Sequence, residues 1–184
     1  MNRHNRAPGV SSHRNTPETP TPWPGLTAQC TLVLPVPCHE WALPSEERVI
    51  DGMVFVPKRE LHITVAGREA VAAVEHVHGK ARAEITLREA FAVCDWRYRR
   101  THRYLRLRKP QPGCPVAGSI IELLDLPGLA DFYRALAAAG CVLPTPPAHV
   151  TLWTHAVPQG IGLADEAALA ELRVGEVPAR ALGL

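Results

Sequence analysis

Pro147-Ala148-His149-Val150-Thr151-Leu152 decides how the rest of the chain is read, and Glu60-Leu61-His62-Ile63-Thr64-Val65 matches it. Each segment contains the pattern apolar-histidine-apolar-threonine-apolar. In a β-strand successive side chains take opposite faces, so a histidine and a threonine two apart share one face and the aliphatic residues share the other. The Cα atoms of such a pair stand about 6–7 Å apart along the strand. The aliphatic residues suit a strand and anchor it in a core. The spacing predicts two strands that lie side by side and present His62, Thr64, His149 and Thr151 to a single phosphate.

Those residue types suit phosphodiester chemistry. Splitting a cyclic phosphodiester takes a base to activate water and an acid to protonate the departing sugar oxygen, on opposite sides of phosphorus. Histidine, with an ordinary pKa of about 6.5, supplies one neutral and one protonated ring near neutral pH. Threonine hydroxyls donate to the non-bridging oxygens, and the cationic ring offsets their growing charge. No Asp-x-Asp or His-x-x-Glu cluster lies near either motif, so the expected chemistry uses no metal and no other cofactor. A metal held by His62, His149 and His155 is a weaker alternative.

The paired motifs resemble those of the two-histidine (2H) phosphoesterase superfamily, which includes the bacterial RNA 2′,3′-cyclic phosphodiesterases, also called 2′-5′ RNA ligases. The resemblance rests on Leu61-His62-Ile63-Thr64-Val65 and Ala148-His149-Val150-Thr151-Leu152, on their spacing, and on the proline-bearing approaches Val56-Pro57 and Pro144-Thr145-Pro146-Pro147. It covers residues 29–184. The first strand, Cys30-Thr31-Leu32-Val33-Leu34-Pro35, lacks the arginine and aromatic residue with which the family usually opens. The resemblance implies an α+β fold of two pseudo-symmetric lobes, antiparallel sheet plus helices, around a central cleft. It further implies a metal-independent phosphodiesterase whose catalytic residues are His62, His149, Thr64 and Thr151. The substrate would be a 2′,3′-cyclic phosphate end of RNA or a small cyclic nucleotide, with reverse 2′-5′ ligation as a companion reaction.

A second signal is basic. Between Trp96 and Lys109 stand Arg97, Arg99, Arg100, Arg103, Arg106, Arg108 and Lys109, interleaved with Tyr98, Tyr104, Leu105 and Leu107. Guanidinium groups hold phosphates and rings stack on bases, so Arg97, Arg99 and Tyr104 are candidate substrate-binding residues. A two-stranded hairpin with a solvated basic face explains the same pattern. On the second motif strand the alternation carries the motif face on to Trp153 and His155, and Trp153 joins the substrate-binding candidates as a base-stacking ring. A non-catalytic RNA- or phosphate-binding module built on residues 96–109 is the alternative function.

Length and composition bound the rest. The 184 residues suffice for one domain, and a net charge of +2 does not by itself imply a nucleic-acid partner. Residues 1–28, rich in proline and poor in aliphatics, read as a disordered tail before a single domain at 29–184. Five scattered cysteines without a Cys-x-x-Cys pair read as reduced, mostly buried thiols. No apolar run reaches membrane-span length, so the expectation is a cytoplasmic monomer that does not engage membranes. Patterning predicts strands over 31–36, 53–57, 119–124 and both motifs, a strand or two over 83–93, and a last strand over 174–184. It predicts helices over 67–79, 129–139 and 165–172, the last capped by Asp165.

Overall fold

The computed structural model describes residues 21–184. In chain order they form β1 (Leu32–Val36), a 3-10 turn (Cys38–Glu40), β2 (Arg48–Ile50), β3 (Met53–Pro57), β4 (Leu61–Ala66), α1 (Arg68–His78) and α2 (Lys80–Ala92). There follow β5 (Arg99–Lys109), β6 (Ala117–Asp125), α3 (Pro127–Ala138), β7 (His149–His155), α4 (Glu166–Leu172), β8 (Arg173–Val177) and α5 (Ala179–Leu182). The fold is α+β. An eight-stranded sheet runs β1-β4-β7-β6-β5-β8, and the β2–β3 hairpin joins it where β3 pairs with the far end of β7. Every one of these pairings is antiparallel.

Each face of the sheet has its own apolar cluster. Ile120 belongs to one and its neighbour Ile121 to the other, as the pleat requires. On the first face Leu61, Ile63, Val65, Val150 and Leu152 pack with Val71 and Val74 of α1, Leu87 and Phe91 of α2, and Phe132 and Leu136 of α3. Each fully buried aliphatic or aromatic side chain contributes about 1.5–3 kcal/mol, which makes this face the main source of stability. On the second face Leu105, Leu107 and Ile121 are covered by Leu169 of α4 and by Ile161 and Leu163 of the preceding loop. The two motif strands are thus held by their aliphatic residues from one side.

Several expectations need correction. Residues 83–92 are helix, not strand: Ala83, Thr86, Leu87, Ala90 and Phe91 are the buried positions of α2, spacings of three and four that a strand does not have, and Val93 follows as its C-cap. Residues 99–109 of the basic stretch are one 11-residue strand, β5, which pairs antiparallel with the next strand, β6, while Arg97 and Tyr98 precede it. Residues 174–184 finish β8 and then turn into α5. The tail boundary at 28 falls late, because Trp23 packs edge-on against Phe91 at 5.3 Å and Leu26 bridges to Leu32. The rest of the tail, residues 1–20, lies outside the described residues. The thiols are free but not mostly buried: Cys30, Cys38 and Cys114 are exposed, Cys94 is intermediate, and Cys141 is buried. Helix α4 starts as read, with Asp165 Oδ1 accepting from the Ala168 amide at 2.7 Å.

Candidate active site

Strands β4 and β7 are neighbours, with Ile63 directly opposite Val150. One step along this antiparallel register in either direction sets His62 opposite Thr151 and Thr64 opposite His149. Directly opposed Cβ atoms in such a ladder lie about 4.5–5.5 Å apart. Ile63 and Val150 are fully buried, so the pleat turns the four polar side chains to the other face. There all four line one cavity of about 100 Å³. By this measure one water needs about 10–15 Å³, so the cavity has room for several waters or for one tetrahedral oxyanion.

His149 is the more constrained ring. It is buried, at 8% exposure, and its Nδ1 lies 2.8 Å from the Pro147 carbonyl oxygen. A carbonyl only accepts, so Nδ1 carries the hydrogen and the neutral ring keeps its lone pair on Nε2. Burial pushes the His149 pKa below the ordinary histidine value; the Pro147 hydrogen bond opposes this, and the nearby His62 adds to the depression. His62 is partly buried, and its pKa is also lowered, by burial first and then by the Lys58 ammonium, with Glu60 acting in the opposite sense. Both rings are therefore biased toward the neutral form.

The walls come from outside the motifs. The segment after β7 doubles back over the sheet, and Gln159, Ile161, Gly162 and Leu163 line the cavity beside Thr151. It is fastened twice: the Ile161 amide donates to Ser119 Oγ at 2.9 Å, and Lys58 Nζ donates to the Pro158 carbonyl at 2.9 Å. Gly160, at φ +84°, lies close to the strand, and a Cβ there would stand 3.0 Å from Thr151 Cγ2. Pro146 and Gly67 complete the lining. Gly67 is the residue from which α1 starts, and no side chain caps that end, so its unpaired amides add positive potential at the rim.

None of the four substrate-binding candidates lines this cavity. For Trp153 the reason is a bulge. On β6, Ile120 pairs with Trp153 and Ile121 with Thr151, so Leu152 is an extra residue in β7. The bulge resets the alternation, and Trp153 turns with Ile120 into the first-face core at 0% exposure. The alternation that was expected to continue from Thr151 to Trp153 stops there, and the ring cannot stack on a base. Tyr104 pairs with Glu122, which pairs with Val150, and so it faces away from the histidines. It is buried, with its hydroxyl accepting from Arg100 Nη2 at 3.2 Å. Arg97 engages Asp95, and Arg99 engages Asp125. Other arginines of the stretch are likewise committed, Arg100 to the buried Glu122, Arg103 to Glu176 and Arg106 to Asp51. His155 bonds through Nδ1 to the Val54 carbonyl at 2.7 Å and packs against Phe55, away from the cavity lining.

Sequence reasoning missed the wall residues and Lys58. The run Pro158-Gln159-Gly160-Ile161-Gly162 carried a turn signal, but no local pattern says that a turn folds back over the strand it leaves. Among the described residues, no three of His, Cys, Asp and Glu converge as a metal-ligand set, and no helix is long and apolar enough to cross a membrane. In comparisons with known proteins, no family model, no curated protein and no solved structure matches the chain.

Proposed function

We propose that this chain is a cyclic phosphodiesterase of the two-histidine type, opening 2′,3′-cyclic phosphates at RNA ends or on small nucleotides. The observation that carries the reading is the convergence of His62, Thr64, His149 and Thr151 on one phosphate-sized cavity. In this reading β4 and β7 belong to two halves related by a pseudo-two-fold axis through the Ile63–Val150 pair, and the cavity is the cleft between them. The exposed free thiols Cys30, Cys38 and Cys114 suit a reducing compartment such as the cytoplasm.

The proposed step balances as follows. His149 Nε2 takes a proton from water, and the water oxygen attacks phosphorus. The bond from phosphorus to one ribose oxygen breaks on the opposite side, and protonated His62 gives that oxygen its proton. The product is a ribose phosphomonoester with a free hydroxyl, and one proton has crossed from the His62 side to the His149 side. The assignment of the base follows from its fixed tautomer: the Pro147 carbonyl holds the hydrogen on Nδ1, leaving Nε2 to accept. Thr64 and Thr151 donate to the two non-bridging oxygens. In 2′-5′ joining a ribose 5′-hydroxyl takes the place of water as the nucleophile on the cyclic phosphate, so His149 again takes its proton and His62 again gives one to the departing ribose oxygen.

The test is hydrolysis of a panel of 2′,3′-cyclic nucleotides and cyclic-ended oligoribonucleotides with EDTA present. Turnover should survive the chelator and fall by a factor of about 10²–10⁴ in His62→Ala and in His149→Ala, the usual range for removing a general acid or base. Wild-type turnover that either substitution leaves intact would remove the assignment.

A further inference from the structure

The cavity has two rings that favour neutrality, and Arg99, Arg100, Arg103 and Arg106 of β5 and Arg173 of β8 are engaged with carboxylates, yet a phosphodiester brings a negative charge. Lys58 brings a cation to the cavity wall. Lys58 sits in the three-residue kink between β3 and β4, where its amide donates to the Leu152 carbonyl at 2.8 Å in the bulge of β7. Its ammonium is 2.9 Å from the Pro158 carbonyl, one residue from Gln159 on the cavity wall. An ammonium has three hydrogens to donate, and here one is used, on a neutral carbonyl. No carboxylate pairs with Lys58 among the described residues. Its charge already acts on His62 across the kink. Arg68, which follows Gly67, instead lines a separate hollow with Gln29 and Glu75.

We propose that Lys58 is the anion-binding residue of this site: its ammonium turns from the Pro158 carbonyl, or shares its hydrogens with it, to hold a non-bridging phosphate oxygen. The assignment rests on the reading of the cavity as a phosphate site, and not on hydrolysis. A long unbranched stem lets the head group swing while the backbone stays fixed in the kink. A charge-assisted N–H···O bond is about twice as strong as the neutral one it replaces or supplements. The same ammonium then couples binding to the wall, because the Pro158 carbonyl belongs to the segment that covers Thr151.

The experiment titrates inorganic phosphate into the full chain and follows the ring protons of His62 and His149 by NMR. The variants are Lys58→Met, Lys58→Arg and, as a control on the neighbouring surface cation, Arg59→Met. Lys58→Met should weaken phosphate binding at least tenfold. Lys58→Arg should stay within about threefold of wild type and Arg59→Met within twofold. In the phosphate-free protein Lys58→Met should also move the His62 titration upward, because the cation that depresses it is gone; an unmoved titration would put the ammonium out of reach of an anion at that ring and overturn the assignment. Phosphate affinity within twofold of wild type in Lys58→Met, with or without altered signals from the 156–163 segment, would overturn the assignment and leave Lys58 a tether only. Equal weakening by Arg59→Met would overturn it too, by showing a diffuse field. A wild-type protein that binds phosphate at both rings yet opens no cyclic phosphate would sink the hydrolytic reading and leave the Lys58 assignment standing.

Discussion

Replacing Gly160 with alanine probes a close approach of the wall segment to a motif side chain, Thr151. Two costs add. At φ +84° an L-residue is in the left-handed region, which costs roughly 1–2 kcal/mol. The new Cβ would also stand 3.0 Å from Thr151 Cγ2, 3.3 Å from Ser119 Oγ and 3.4 Å from Thr151 Oγ1. Those neighbours must yield by a few tenths of an ångström, against a strand held by ladder bonds on both sides. Thermal or urea unfolding should therefore show a loss of about 1–3 kcal/mol, strain and crowding together. Misplacement of a positioning group by 1 Å costs about 10²-fold in rate, so a shift of a few tenths should reduce turnover of a 2′,3′-cyclic nucleotide by about threefold to tenfold. Gly162 is the control: it also lines the cavity, yet a Cβ there meets nothing within 4 Å. Gly162→Ala should stay within about 0.5 kcal/mol, as open surface changes do. If Gly160→Ala matches Gly162→Ala in both stability and turnover, the close approach of this segment to Thr151 is wrong.

Further outcomes follow from the same geometry. Both imidazoles titrate below the ordinary value, so the singly protonated pair needed for acid–base turnover is populated on the acid side of pH 6.5. The pH profile of kcat/KM, which reports the free enzyme, should peak there and fall as pH rises toward 7.5; a plateau extending above pH 7 would contradict it. His149 is buried neutral, so the unfolded chain binds its proton more readily than the folded one. Its contribution to stability is full above pH 6.5 and is lost as pH falls through the depressed folded value, so melting temperatures should drop below pH 6.5, and less steeply in His149→Gln. Thr151→Val should keep the fold and lower kcat by about 10²-fold, the usual loss for one oxyanion donor, as read by steady-state kinetics on a cyclic nucleotide; an unchanged kcat would remove Thr151 from the proposed step. Glu122 is fully buried and accepts from Arg100, Trp41 Nε1 and the His102 amide. Glu122→Ala leaves the partly buried Arg100 without its carboxylate and should cost about 3–5 kcal/mol in urea unfolding; a loss under 1 kcal/mol would show that the network is not stabilising.

The α+β class, the two motif strands and the faces of His62, Thr64, His149 and Thr151 up to Thr151 are legible in the chain alone, because a period of two in apolar and polar residues is a property of neighbours in sequence. Helices α1, α3 and α4 are legible for the same local reason, through spacing, glycine stops and the Asp165 cap. Helix α2 was not, since Ile85, Leu87 and Val93 imitate a strand until its partners α1 and α3 select the other period. The remaining features come from contacts between distant segments. The register of Ile63 on Val150 brings the motifs together, and the bulge at Leu152 turns Trp153 into the core. Carboxylates from three other places in the chain, Asp51, Glu122 and Asp125 of β6, and Glu176, take up Arg106, Arg100, Arg99 and Arg103, arginines of the stretch that sequence offered to a ligand. Strand pairing and ion pairing depend on which segments meet in space, and local patterning holds no record of that. The Lys58–Pro158 bond, between residues a hundred positions apart, is of this second kind.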